Sequence, residues 1–198
     1  MRAIIFPLLA TTLFAASVVH AADMPTQAQI QAAVDKGIAA TQAKSSSSMP
    51  MPFAIKISKV VGCKPSPEVK TEVVCLVGMS TGSSDAYRVL PLRVDGNTWV
   101  GVERKDAVFP PPTPAEAITA MRAWAEQLVI DKPETANDKQ IQELRTNMKV
   151  KSVGHCGIGR KTGYLECDST LEIPGKPDVK AELLYSLEGD TWKFVVDK

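Results

Sequence analysis

The chain has 198 residues, of which 23 are basic, 22 acidic and 44% hydrophobic. Charges so nearly balanced, and interspersed along the chain, exclude the basic excess that nucleic-acid binding or a polybasic membrane contact requires. The other compositional mark is four cysteines, Cys63, Cys75, Cys156 and Cys167.

In chain order, the first segment reads as a secretory signal peptide. Arg2 supplies the positive end, and Ala3 to Val19 form an apolar run broken only by Pro7, Thr11, Thr12 and Ser17. Val19-His20-Ala21 then predicts cleavage between Ala21 and Ala22, and delivery to the periplasm or beyond. A transmembrane anchor needs ~20 apolar residues, more than this run offers. No cysteine follows the cleavage site, so lipid anchoring is not expected, and no later segment is long and apolar enough to span a bilayer. Cleavage removes Arg2 alone among the charged residues and leaves 22 basic against 22 acidic side chains. An exported protein meets an oxidising environment, so the cysteines are expected to pair, and four allow three connectivities.

The mature chain opens with a helix that Thr26 can cap, with Ile30, Val34 and Ile38 recurring on one face beside Ala33. Ser45 to Pro52 is a polar, extended loop. An alternating strand follows from Phe53 to Ile57, then Cys63, then the strand Val73 to Val77 that carries Cys75. In the third strand Leu90, Leu92 and Val94 share one face, and Tyr87, Val89 and Arg93 the other. Asp95-Gly96-Asn97 is a hairpin turn leading to Trp99. Residues 109–114 form a Pro-rich linker. Thr113-Pro114-Ala115-Glu116 is a capping box that opens a second helix carrying Ile118, Met121, Ala125 and Leu128. Ile141 and Leu144 suggest a short extra helix. A second set of strands begins near Met148 to Val150, includes Leu183, Tyr185 and Leu187 on one face and Lys180, Glu182, Leu184 and Ser186 on the other, and turns at Glu188-Gly189-Asp190 into Trp192.

These elements repeat. At an offset of 93, Cys63 meets Cys156, and Asp95-Gly-Asn-Thr-Trp99 meets Glu188-Gly-Asp-Thr-Trp192; Cys75 meets Cys167 after a one-residue slip. Pro25-Thr-Gln-Ala28 resembles Pro112-Thr-Pro-Ala115 at an offset of 87. The expected fold is therefore α+β: two tandem copies, 22–108 and 115–198, each a helix on one face of a roughly four-stranded antiparallel sheet. Each copy is near the lower size limit for an independent core, so a staple within each is reasonable. That chooses the pairing Cys63–Cys75 and Cys156–Cys167, one disulfide per copy, with Cα atoms expected ~5.5 Å apart.

Three motifs resemble chemistry and fail on context. Gly78-Met-Ser80-Thr-Gly82 matches G-x-S-x-G, but a nucleophile elbow needs a helix after the serine and another strand follows. Gly154 to Thr162 nearly spells a phosphate-binding loop, but Arg160 intrudes before Lys161 and again a strand follows. His155, the only histidine of the mature chain, adjoins Cys156, yet no C-x2-C or H-x3-H spacing supports a metal site. No catalytic residue, cofactor or metal is expected.

The layout resembles that of the secreted β-lactamase inhibitor protein family, in which two copies of a helical segment and four-stranded sheet each hold a disulfide. The residues carrying the resemblance are the two cysteine pairs and the Gly-containing turns before Trp99 and Trp192. It spans residues 25–198 as layout, and none of that family's contact residues transfers. Each half is also similar to cystatin-like folds, which serve inhibitors, binding modules and enzymes alike. The resemblance implies an exported, non-enzymatic protein-binding module, an inhibitor or immunity-type protein whose partner is another envelope or secreted protein. Tyr87, Val89, Arg93 and Leu184 are the expected binding face. The alternatives are a small-ligand or lipid-binding protein, and an envelope assembly factor or an enzyme with a cryptic carboxylate site; an apolar pocket of several hundred Å³ between helix and sheet favours the ligand reading, an aromatic-bearing surface between the copies the first.

Overall fold

A computed structural model describes residues 24–44, 54–82 and 84–196. The expected signal peptide and the Ser45–Pro52 loop lie outside the described residues. The first copy comprises α1 (Gln27–Lys44), β1 (Lys56–Pro65), β2 (Glu72–Ser80), β3 (Asp85–Asp95) and β4 (Thr98–Gly101). The second comprises α2 (Pro114–Asp131), a 3-10 turn (Pro133–Asn137), the extra helix α3 (Lys139–Thr146), β5 (Lys149–Ile158), β6 (Leu165–Glu172), β7 (Val179–Glu188) and β8 (Thr191–Val195). Each copy has one antiparallel sheet with its strands in sequence order.

The two helices are 18 residues long and lie 87 positions apart at both ends. Both begin with a reciprocal cap. The Gln29 amide donates to Thr26 Oγ1 at 3.3 Å while the Thr26 amide donates to Gln29 Oε1 at 2.8 Å. Thr113 and Glu116 exchange the same bonds at 3.2 and 2.7 Å, satisfying amides that a helix start leaves without partners. The 3-10 turn and α3 stand between α2 and β5. Asp138 caps α3, Leu144 is buried, and Arg145 grips Glu126 of α2 at 2.8 Å.

The sheets repeat down to their irregularities. In β1 the register slips between Ile57 and Lys59 and between Val60 and Gly62; in β5 it slips between Val150 and Ser152 and between Val153 and Cys156. Two bulges at matching places give both first strands the same bend. Gly96 and Gly189 take φ of 62° and 60° in the matching hairpin turns, a conformation that glycine adopts without strain.

Both disulfides are intra-copy, Cys63–Cys75 and Cys156–Cys167, and no cysteine is free. Their Cα atoms are 4.0 and 4.1 Å apart, closer than the expected ~5.5 Å, because each pair is directly opposed across one ladder.

The copies are more than joined by a linker. β2 is buried from Glu72 to Gly78 on both faces. Its Val73, Cys75 and Val77 pack with Ile30 and Ala33 of α1. Its Val74 and Leu76 belong to a second cluster that runs on through Phe109, Met121, Tyr185 and Trp192 of the following copy. Phe109 of the Pro-rich stretch is 2% exposed and meets the Trp192 ring edge-on at 6.3 Å. The Tyr87 amide donates to the Arg160 carbonyl at 2.8 Å, and Lys64 reaches Asp190 at 3.5 Å. The outer face of the first sheet is thus seated on the second copy.

A groove between helix and sheet in the first copy

Along α1 the residues facing the sheet are Ile30 and Ala33, fully buried, then Val34 and Ile38, half-buried. Beyond them Gly37 and Thr41 fail to reach the sheet, and a groove of about 430 Å³ opens. Met79 of β2 and Leu90 of β3 form its far wall, and Gly101 to Glu103 its side. That side is fixed from behind: the Val102 amide donates to the Pro91 carbonyl at 3.0 Å, and Arg104 Nη2 donates to the buried Glu72 at 3.0 Å. The lining is mainly apolar, with exposed Lys44 and Glu103 adding opposite charges.

The second copy shows what is missing. α2 carries Trp124 where α1 has Gly37, 87 positions earlier, and β8 carries Phe194 where β4 has Gly101, 93 positions earlier. The register fixes the second equivalence: Gly101 pairs with Leu92, and Phe194 with Tyr185, 93 positions on. Trp124 and Phe194 pack edge-to-face at 5.5 Å, and Phe194 lies 6.0 Å from Tyr185. Three rings fill the space between helix and sheet there. At Gly37 and Gly101 an added β-carbon would meet nothing within 4 Å. Tyr185 is fully buried, and burial pushes its phenol up to about 12 against a weaker opposing hydrogen bond from Ser169.

The four residues expected to form a binding face do not share one. Tyr87 and Val89 are half-buried against the second copy. Arg93 is exposed near the far end of β3, paired in register with Glu72 and Val100. Leu184 is half-buried on the second sheet, between Glu166 and Val195. Alternation along β3 put Tyr87, Val89 and Arg93 on one face correctly; nothing in it shows what that face meets. The groove has a sequence signal that aligning the copies exposes, Gly37 against Trp124 and Gly101 against Phe194.

Ser80 ends β2 opposite Asp85 in a hairpin, and no helix follows to aim it. Gly154 to Ile158 belong to β5, and the stretch leads into β6 with no helix following it. His155 is exposed, and its neighbouring sulfurs are consumed in disulfides. Among the described residues no group of three His, Cys, Asp or Glu could hold a metal, and no helix is long and apolar enough to cross a membrane. A second depression, about 540 Å³, lies on the second sheet among Asp168, Lys180 and Glu182, polar and of mixed charge.

The fold and groove define a duplicated, disulfide-stapled α+β module whose first copy is open at Gly37 and Gly101, where the second holds Trp124 and Phe194; the second copy has its own depression of about 320 Å³ where Ala115 to Ala120 of α2 face Asp190 to Trp192. Compared with known proteins, the chain matches no family model, no curated protein and no solved structure.

Proposed function

We propose that the protein is an exported binding protein that takes a small apolar ligand into the groove between α1 and the first sheet. The observation that supports this is the contrast at matching positions: Trp124 and Phe194 pack together in the second copy, whereas the first is open at Gly37 and Gly101, with a mainly apolar groove whose volume is in the range of ligand pockets, ~300–1,000 Å³. The reading is of binding and not of catalysis. The polar groups at the groove are Thr41, Lys44 and Glu103, and the Thr41 hydroxyl is spent on the Gly37 carbonyl at 2.9 Å. Export rests on the Arg2–Ala21 pattern, and the two intra-copy disulfides fit an oxidising compartment.

Native mass spectrometry of the protein purified from the envelope fraction tests this. A small-molecule adduct that is lost on denaturation, on a chain beginning at Ala22, is the expected result. Equimolar recovery with a protein partner, and no adduct, would return the assignment to an inhibitor or immunity-type module. The observation favouring that second reading is the solvent-facing side of the second sheet, where Leu184 and Val195 stand side by side among charges.

A further inference from the structure

We infer that the group bound in the groove is a planar aromatic ring of about indole size; this rests on the ligand-binding reading above. Three observations carry it. The first is shape. The groove is bounded by the same frame that holds Trp124 and Phe194 in the second copy, and it opens where Gly37 and Gly101 replace those two side chains. An indole and a phenyl ring packed edge-to-face occupy that frame with their polar quadrupoles matched. The second is the wall. Met79 lines the groove, and a methionine sulfur beside an aromatic ring makes a favourable contact that an aliphatic chain does not reproduce. The third is the rim. Lys44 and Glu103 offer one cation and one anion to polar substituents, and an ammonium also sits favourably over a ring face.

The experiment uses the mature chain with indole as aromatic probe and octanoate as aliphatic probe, followed by calorimetry and by amide shifts. Indole should bind with shifts confined to Gly37, Leu90, Gly101 and their neighbours, and octanoate should bind about two- to tenfold more weakly, the margin that ring-specific contacts supply. A Gly37→Trp/Gly101→Phe double variant copies the filling of the second copy. It should raise Tm and abolish indole binding; if the pair does not fold, Gly101→Phe alone gives the block. Octanoate binding as well as indole would overturn the aromatic assignment and leave the ligand groove standing. Binding of neither probe would overturn both. Undiminished indole binding by the filled variant would place the site elsewhere and overturn the inference.

Discussion

At φ +72° and with the Tyr87 ring 2.6 Å from where a β-carbon would stand, position 163 accepts glycine alone. Gly163→Ala adds left-handed backbone strain to a clash at the junction of the copies, and should cost about 2–4 kcal/mol in chemical denaturation. Gly62→Ala meets the end of the Leu187 side chain and, at 3.3 Å, the Gly189 carbonyl; it should cost less, because the Leu187 side chain can turn away and the carbonyl need give only slightly. Tyr185 supplies a pH test. Its phenol ionises near 10 when unfolded and at about 12 when folded, so the unfolded state loses its proton first as pH rises. The stabilisation is complete below pH ~10 and falls by up to about 1.4 kcal/mol per pH unit towards pH 12. Tyr185→Phe should remove that slope; an unchanged slope in urea melts between pH 10 and 12 would show that another group causes it. None of these contacts was legible in the sequence, because glycine gives no sign of which distant side chain will cover it.

The elements themselves were largely legible. Capping residues, helix periodicity, paired turns and the extra helix at Ile141 and Leu144 each carry a local signal, and all four are present. β1 is the partial exception, since it begins at Lys56 with Ala54 and Ile55 outside it; Phe53 lies outside the described residues. The bulges carry no signal in either strand alone, because they belong to the register between two strands. Cys63 and Cys75 staple β1 to β2 across a separation of 12 residues. Replacing both by Ala should cost about 2–3 kcal/mol, the closure entropy of so short a loop. Peptide mapping without reduction should still find Cys156 joined to Cys167; a free thiol there would mean that the staples form together and not copy by copy.

At the scale of the molecule, the two tandem copies share a core. Val74 and Leu76 of the first copy lie in the same cluster as Tyr185 and Trp192 of the second, so neither copy can unfold without exposing the other's core. A single calorimetric transition is expected, with van't Hoff and calorimetric enthalpies equal. The first copy expressed alone should be aggregation-prone, since it would uncover Val74, Leu76, Tyr87 and Val89 and keep only the smaller cluster around Ile30 and Val73. Two separated melting transitions would contradict the shared core. This junction could not be read beforehand, because an outward apolar alternation looks the same whether it meets solvent, a partner or a sibling copy.

The outer face of the first sheet has a further consequence for growth. Val74 and Leu76 correspond, 92 positions on, to Glu166 and Asp168, and Tyr87 and Val89, 93 positions on, to Lys180 and Glu182, all four of these exposed. The two surfaces in contact at the junction are different, so it is a head-to-tail contact, the kind that generates open filaments when every unit can repeat it. The outer face of the second sheet, carrying charge at these positions, offers a third unit no apolar seat like the one the first copy offers the second. Glu166→Val, Asp168→Leu, Lys180→Tyr and Glu182→Val together would restore that seat. The variant should polymerise in sedimentation velocity while the parent remains of defined size, and a variant that stays at the parent's size would show that the chain is capped by something other than charge.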